Sequence, residues 1–90
     1  MNVIVKSKSD CPWCVKAKNW LAANGIAYVE EIYDDFNERQ AMYDSLGLTD
    51  GLERTVPKIV VQRPGESDQL IRTYQELVMS SGLDAEAGFD

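Results

Sequence analysis

Short apolar runs bounded by polar residues predict four β-strands. The run Val3-Ile4-Val5 and the centre of the segment from Pro57 to Gln62 are continuously apolar, which is typical of strands covered on both faces of a sheet. The stretch from Ile26 to Tyr33 is rich in β-branched and aromatic residues and predicts another strand. After the turn signal Arg63-Pro64-Gly65-Glu66, residues Gln69 to Arg72 predict the returning strand of a hairpin.

Two segments with helical spacing lie between these strands. The first is predicted to run from Pro12 to about Asn24, because Gly25 then provides a C-terminal cap. Its core face is predicted to hold Cys14, Ala17 and Leu21. The second follows the N-cap Asp35 and is predicted to end at Gly47. Its core face is predicted to hold Phe36, Met42, Tyr43 and Leu46, and a loop from Leu48 to Thr55 should follow.

A third helix is predicted after the last strand, where Thr73-Tyr74-Gln75-Glu76 has the form of a capping box. Its apolar face should hold Tyr74, Leu77, Val78 and Ser81, with Gly82 at its end. Residues 84–90 are acidic, and we expect a frayed tail there. The predicted order is β-α-β-α-β-β-α, in which a right-handed crossover makes the first two strands parallel neighbours. We therefore expect one domain over residues 1–90, of the α/β class, with a four-stranded mixed sheet flanked by three helices.

Composition excludes several classes of protein. Hydrophobic residues make up 44% of the 90 positions and charged residues 27%, which is typical of a globular chain. The apolar runs are too short to span a membrane. The start, Met1-Asn2-Val3, does not open a basic region followed by a long apolar one, so we expect no secretory signal and a soluble cytoplasmic protein. The net charge of −6 argues against a nucleic-acid partner.

The charge is unevenly distributed along the chain. Residues 1–20 contain four lysines and the single acid Asp10, a balance of +3, whereas the remaining residues balance at −9. Most of these lysines are explained by a solvated face. Lys8, three residues before Cys11, is the one that we expect to stabilise a thiolate and to attract an anionic thiol.

The strongest chemical signal is the sequence Cys11-Pro12-Trp13-Cys14, which contains both cysteines of the chain. It stands between a predicted strand and a predicted helix, so Cys11 should cap the helix N-terminus. Unpaired backbone N–H groups and the helix dipole favour an anion there, and this lowers the pKa of a thiol. Pro12 fits the first helical position, where no N–H is needed. Cys14, one turn further, is close enough to form a disulfide with Cys11.

Three other interpretations of the two cysteines remain open. A purely structural disulfide that closes so short a loop would add little stability. Structural zinc needs four Cys or His ligands, and two cysteines without histidine would supply these only if two chains shared the metal. Two inert buried thiols are also compatible with the sequence. The order strand, Cys-x-x-Cys, helix favours redox chemistry.

The sequence as a whole resembles the glutaredoxin family, whose members have the thioredoxin-like fold. Ser7-Lys8-Ser9-Asp10-Cys11-Pro12-Trp13-Cys14 is similar to the family pattern Ser-Lys-x-x-Cys-Pro-Tyr-Cys, with Trp in place of Tyr. Arg54-Thr55-Val56-Pro57 is similar to the Thr-Val-Pro segment that precedes the third strand in that family. The longer loop before Thr55 is similar to that of glutaredoxins encoded by bacteriophages.

This resemblance implies roles for individual residues. Cys11 would be the attacking thiolate and Cys14 the resolving thiol. Lys8 would pair with the glycine carboxylate of glutathione, Trp13 would line the groove, and the Val56 backbone would contact the cysteine part of glutathione beside a cis Val56–Pro57 bond. Arg54 is either a contact to a glutathione carboxylate or an ordinary surface arginine. The implied glutathione-binding set is Lys8, Trp13, Arg54, Thr55, Val56, Pro57, Arg72, Thr73, Tyr74 and Gln75.

The chain departs from the family pattern after the fourth strand. Arg72 and Thr73 stand where glutaredoxins usually carry a glycine pair that lets the γ-glutamyl group approach closely. The backbone N–H groups of Tyr74 and Gln75 would still face a carboxylate, and Arg72 is either a further contact or an ordinary strand end.

The function that this resemblance implies is thiol–disulfide oxidoreduction with glutathione as co-substrate and no tightly bound cofactor or metal. Expected partners are protein disulfides, that of ribonucleotide reductase among them, and the protein is expected to be a monomer. One rival is a thioredoxin-like donor that a flavoprotein reductase recharges. Another is a glutathione-dependent iron–sulfur cluster carrier, which proline after Cys11 and the second cysteine disfavour.

Overall fold

The computed structural model describes residues 1–79, and the order of elements within them is the predicted β-α-β-α-β-β-α. The elements are β1 (Asn2–Ser7), α1 (Pro12–Ala23), β2 (Val29–Ile32), α2 (Phe36–Ser45), β3 (Lys58–Gln62), β4 (Gln69–Ile71) and α3 (Tyr74–Val78). The predicted Ser81, the predicted helix end at Gly82 and the predicted frayed tail lie outside the described residues. None of the helices in residues 1–79 combines the length and the apolarity needed to cross a membrane.

The strands form one mixed sheet with the order β2-β1-β3-β4. β1 and β2 are parallel, with Ile4 opposite Val29, which confirms the predicted crossover through α1. β3 is antiparallel to β1 and to β4, so the hairpin is also confirmed. The C-terminal end of β1 and the N-terminal end of β3 therefore meet at one edge of the sheet, with Lys6 opposite Lys58.

The main core lies between the sheet and the helices α1 and α3. Alternate residues of the strands point into it, since successive side chains of a strand face opposite sides. Its buried members are Val3, Val5, Ala17, Leu21, Ile26, Ile59, Val61, Ile71 and Leu77. A smaller cluster of Met42, Tyr43 and Leu48 packs α2 and the following loop against Tyr33, Val56 and Leu70. The predicted core face of α1 is confirmed, because Cys14, Ala17 and Leu21 are its buried residues.

Several predicted boundaries and faces are wrong. The strand β2 begins at Val29, because Gly25, with φ of 69°, ends α1 and the N–H of Ile26 turns back to the Leu21 carbonyl at 2.9 Å. The predicted loop from Leu48 to Thr55 contains one turn of 3-10 helix at Gly51–Glu53.

The predicted core faces of α2 and α3 each include a residue that the structure leaves at the surface. Phe36 is 63% exposed, because the buried residues of α2, Met42 and Tyr43, lie in its second half and its first turn extends past the core. In α3, Leu77 is buried and Tyr74 packs against the core, but Val78 is exposed.

Candidate active site

Cys11 caps the N-terminus of α1, as the sequence predicts. Its backbone is extended (φ −119°, ψ 96°), Pro12 occupies the first helical position, and the N–H of Cys14 donates to Cys11 Sγ at 3.1 Å. A donor aimed at the sulfur from inside the helix stabilises negative charge on it. Cys11 and Cys14 form a disulfide with a Cα–Cα distance of 5.2 Å. Because disulfide sulfurs do not titrate, the lowered pKa of Cys11 stays a prediction for the reduced form.

The two sulfurs differ in access. Cys11 is 8% exposed, whereas Cys14 is 1% exposed and lies on the core face of α1. Thiol–disulfide exchange needs an in-line approach of one sulfur to another, so access selects Cys11 as the atom that a substrate or reductant reaches. Within residues 1–79 there is no group of three or more Cys, Asp or Glu side chains placed to hold a metal ion.

A pair of hydrogen bonds between Ser9 and Asp34, called the latch below, fixes the loop that connects β1 to Cys11. The backbone N–H and the hydroxyl of Ser9 donate to the two carboxylate oxygens of Asp34, each at 2.7 Å. These hydrogen bonds hold the pKa of the Asp34 carboxyl below its usual value. Asp10, directly before the cysteine, adopts the left-handed conformation with φ of 55°. The latch thus ties the loop from Lys8 to Asp10 to the end of β2.

The predicted cis peptide bond between Val56 and Pro57 is confirmed. It precedes β3 and places the Val56 carbonyl oxygen 3.8 Å from Cys11 Sγ. The side chain of Val56 packs against the smaller cluster around Tyr43. The segment therefore presents its backbone, and not its side chains, to the reactive sulfur.

A first cleft of about 340 Å³ lies between this segment and the start of α3. Eight of the ten residues predicted to bind glutathione line it: Trp13, Thr55, Val56, Pro57, Arg72, Thr73, Tyr74 and Gln75. The structure thus brings together residues that are as far apart in the sequence as Trp13 and Gln75. Arg72 and Thr73, which stand where the resemblance implies a glycine pair, form part of the wall.

A second cleft of about 420 Å³ opens beside Cys11. It holds the two remaining predicted residues, Lys8 and Arg54, together with Asp10, Cys11, Pro12, Trp13, Phe36, Arg39, Gln40, Tyr43, Thr55 and Val56. Its lining holds three cations against one carboxylate, and it stays basic although Arg54 pairs with Asp44 and the chain as a whole is acidic. Trp13, Thr55 and Val56 line both clefts and separate them.

Arg54 is held by the protein itself. Its guanidinium donates to the Leu48 carbonyl at 2.9 Å and to Gln40 Oε1 at 2.8 Å, and it pairs with Asp44. It also lies 5.9 Å from the centre of the Tyr43 ring. Arg54 therefore fastens α2 to the loop before the cis-proline segment, while it contributes positive charge to the second cleft.

Four residues of α2 that line the second cleft were not predicted as site residues from the sequence: Phe36, Arg39, Gln40 and Tyr43. Arg39 donates to the Tyr33 carbonyl at 2.9 Å and lies 5.9 Å from the centre of the Phe36 ring. Burial raises the pKa of the Tyr43 phenol, which keeps it protonated at neutral pH. Helical spacing alone does not show which face of α2 borders Cys11, so the sequence carried no signal for these four.

Trp13 is 47% exposed, yet two neighbours hold its ring in place. Lys16 Nζ lies 4.4 Å from the ring centroid, a cation–π distance, and the Tyr74 ring lies at 5.9 Å with a tilt of 43°. The indole therefore forms a fixed wall between the two clefts.

Lys58 is a further residue near the first cleft that was not predicted as a site residue from the sequence. It begins β3 and is 1% exposed, and its ammonium contacts both Thr55 and Arg72, which line the first cleft. Burial lowers the pKa of this ammonium.

Comparisons with known proteins agree with this geometry. The glutaredoxin family model matches residues 3–63, about two thirds of the chain. Glutaredoxin 1 from Francisella tularensis is similar in structure, with a TM-score of 0.70 and 28% identity over 94% of this chain and 96% of that one. The dithiolic glutaredoxin 2-C-Grx1 from Trypanosoma brucei brucei has a TM-score of 0.64 and 26% identity over 99% of this chain and 82% of that one.

A wheat glutaredoxin at 24% identity, with a TM-score of 0.61 over 98% of this chain and 85% of that one, shows the shared fold. A comparison with curated proteins found no significant match. The fold and the Cys11–Cys14 pair define a thiol–disulfide oxidoreductase of the thioredoxin-like fold. The chain belongs to the glutaredoxin family. The family match ends at residue 63, so it does not extend to Arg72 and Thr73.

Proposed function

We propose that this protein is a glutathione-linked oxidoreductase that reduces protein disulfides or glutathione mixed disulfides through Cys11 and Cys14. The observation that carries the proposal is the pair of clefts that share Trp13, Thr55 and Val56, of which the second contains Cys11 and is basic. Glutathione is a short extended thiol with a carboxylate at each end, so it suits a groove that continues on both sides of the reactive sulfur.

The reductive half of the reaction begins at the Cys11 thiolate. Its sulfur attacks one sulfur of the substrate disulfide, a mixed disulfide forms, and the other substrate sulfur leaves as a thiolate. Cys14 then attacks Cys11 Sγ, which releases the second substrate thiol and forms the Cys11–Cys14 disulfide. Two electrons have passed from the protein dithiol to the substrate.

Two molecules of glutathione restore the dithiol. The first thiolate attacks Cys11 Sγ, the more exposed sulfur, and Cys14 leaves and takes up a proton. The second attacks the glutathione sulfur of the mixed disulfide and releases oxidised glutathione together with the Cys11 thiolate. The N–H of Cys14, which points at Cys11 Sγ, stabilises this leaving group.

The proposed pose runs glutathione along the Val56 backbone. The glycine carboxylate would lie in the second cleft near Lys8 and Arg39, whose charges favour it. The γ-glutamyl end would lie in the first cleft against the Trp13 ring and the segment from Arg72 to Gln75. The Val56 carbonyl, 3.8 Å from Cys11 Sγ, is placed to accept a hydrogen bond from the cysteine part of the ligand.

The physiological setting belongs to the same proposal. A reactive dithiol suits a reducing compartment, so we propose that the protein acts in the cytoplasm, as a monomer. Its protein substrates would include disulfides of the kind found in ribonucleotide reductase. The second candidate is a donor recharged by a flavoprotein reductase, which the Arg72 and Thr73 side chains in the first cleft favour because they occupy space that glutathione would need.

A turnover assay separates the two candidates. The reduction of a small mixed disulfide is measured with glutathione and glutathione reductase, and in parallel with thioredoxin reductase, each with NADPH. We expect saturable turnover with glutathione only. Turnover that depends on thioredoxin reductase and is absent with glutathione would instead support the second candidate.

A further inference from the structure

Lys58 is placed where a lysine is rarely found. It is 1% exposed at the start of β3, followed directly by the buried residues Ile59, Val60 and Val61. Removing an ammonium from water is costly unless hydrogen bonds replace its hydration. A buried ammonium therefore needs a hydrogen-bond acceptor for each of its N–H groups.

The protein supplies three oxygens for the three N–H bonds of the ammonium. Lys58 Nζ donates to the Thr55 carbonyl at 2.5 Å, to Thr55 Oγ1 at 3.2 Å and to the Arg72 carbonyl at 3.0 Å. An ammonium has three donors and no acceptor, so this set satisfies it completely. The match explains how the charge is tolerated inside the fold.

The three oxygens belong to opposite walls of the first cleft. Thr55 is part of the cis-proline segment, whereas Arg72 precedes the start of α3. The backbone pairing between β3 and β4 ends with Ile59 opposite Ile71. One residue beyond that last pair, the Lys58 ammonium is the bridge that joins the two walls.

We propose that Lys58 is a positioning residue that sets the separation of the two walls of the first cleft and thereby the affinity for the γ-glutamyl end of glutathione. This inference rests on the proposed function, because it concerns the glutathione that occupies the cleft. Lys58 acts through the backbone at Thr55 and Arg72, and not by contact with the reacting sulfurs.

The bridge acts where Arg72 and Thr73 line the first cleft. The direction of the backbone that carries these two residues therefore decides how much room a ligand has there. The Lys58 ammonium fixes the direction of the Arg72 carbonyl. It also holds Thr55, whose neighbour Val56 lies beside Cys11 Sγ.

The substitution Lys58→Met tests the proposal, since Met has similar length but no donor. The KM and kcat for glutathione are measured, together with the rate at which dithiothreitol, a small dithiol that needs no cleft, reduces the Cys11–Cys14 disulfide. We expect the KM to rise about tenfold, as when a well-directed hydrogen bond to a ligand is lost. The kcat and the dithiothreitol rate should change by less than about twofold.

Lys18→Met is the matched control, because Lys18 pairs with Glu30 and lines neither cleft. It removes a lysine charge and should leave the KM unchanged. If Lys58→Met does not fold, Lys58→Gln, which keeps amide donors without the charge, is measured by the same criteria.

Each outcome decides between the hypotheses. A folded Lys58 variant with the KM of the parent protein overturns the positioning role and leaves the proposed function intact. An equal fall in the glutathione and dithiothreitol rates shows that Lys58 supports Cys11 itself and not the cleft, which also overturns the proposal. A parent protein that shows no turnover with glutathione refutes the proposed function, and the inference with it.

Discussion

The two clefts beside Cys11 are built on different principles. The first lies between two chain segments, Thr55 to Pro57 and Arg72 to Gln75, beside the Trp13 ring, and a buried ammonium joins the two segments. The second is lined by three cations, of which Lys8 is exposed and Arg39 and Arg54 are half-buried. The segments of the first cleft select a ligand by shape and hydrogen-bond direction, whereas the cations of the second select it by charge.

This difference determines how each cleft should respond to change. A buried, fully paired charge is weakly screened by salt, so the contribution of Lys58 to the first cleft should be insensitive to ionic strength. Exposed charges attract at a distance and are screened within roughly 10 Å at 0.1 M salt, so the contribution of Lys8 to the second cleft should depend on ionic strength. Substitutions that act on one cleft and spare the other therefore test whether the two parts are separate.

The largest effect on turnover should come from substituting the two cysteines. Cys11→Ser removes the nucleophile, and we expect turnover to fall on the order of 10³-fold or more. Cys14→Ser should keep the reduction of glutathione mixed disulfides, because a second glutathione can resolve the intermediate at Cys11. Steady-state rates with a glutathione mixed disulfide measure both variants. If Cys11→Ser stays active while Cys14→Ser does not, the assignment of the two roles is reversed.

A smaller effect should follow from the walls of the first cleft. The double substitution Arg72→Gly with Thr73→Gly removes two side chains from the approach of glutathione, and we expect the KM to fall about tenfold. The matched control is Arg72→Lys with Thr73→Ser, which keeps the bulk, the charge and the cap, and should leave the KM unchanged. Steady-state turnover over a glutathione series gives both values.

Stability must be measured alongside, because Thr73 Oγ1 accepts a hydrogen bond from the N–H of Glu76 at 3.0 Å and caps α3. Replacing such a cap by glycine costs a few tenths of a kcal/mol. A folded double-glycine variant with slower turnover would show that Arg72 contacts the ligand and does not obstruct it.

In the second cleft, Lys8→Met should have a still smaller effect. Exposed ion pairs contribute up to about 1 kcal/mol, so we expect a rise in the glutathione KM of about fivefold or less. The rise should shrink as salt is added, because the interaction is screened. Lys18→Met again serves as the control for loss of one charge. A KM effect of Lys8→Met that stays constant from low to high salt would contradict the view that this cleft works through exposed charge.

The sequence predicts much of the Cys11 side of the site and little of the rest. Helix capping depends on neighbouring residues, so the four residues from Cys11 to Cys14 suffice to predict that Cys11 caps the helix, that Pro12 begins it and that Cys14 lies one turn inside it. The cis bond before Pro57 was predictable only through the family resemblance, because most X-Pro bonds in folded proteins are trans. The residues of α2 in the second cleft depend on how that helix packs against the loop from Leu48, which periodicity does not specify.

Lys58 shows most clearly where sequence-based prediction ends. Lysine is almost never fully buried, so a lysine at the start of a strand normally indicates an exposed edge. Its burial depends on oxygens from Thr55, three residues away, and from Arg72, fourteen residues away. Such a match exists only after the hairpin has formed, and no local pattern encodes it.

The smallest effect that we predict concerns the Ser9–Asp34 latch, which fixes the loop that contains Lys8 beside the second cleft. Hydrogen bonds from the Ser9 hydroxyl and N–H lower the pKa of Asp34 from its usual 3.8. A carboxyl with a lowered pKa in the folded state adds stability that is present above its unfolded pKa and is lost as the pH falls through the folded pKa. The latch should therefore hold at neutral pH and open only below pH 3.8.

Titration of the Asp34 carboxyl by NMR, with the Ser9 amide followed in the same spectra, measures this step directly. We expect the two signals to shift together, with a midpoint below 3.8. Asp34→Asn keeps the shape of the side chain but removes its charge. In that variant the Ser9 amide signal should no longer shift with pH at this midpoint. The glutathione KM should rise slightly, because Lys8 is less firmly placed. The dithiothreitol rate should stay the same. A midpoint at or above 3.8 in the parent protein would show that the latch does not depend on the ionised carboxylate.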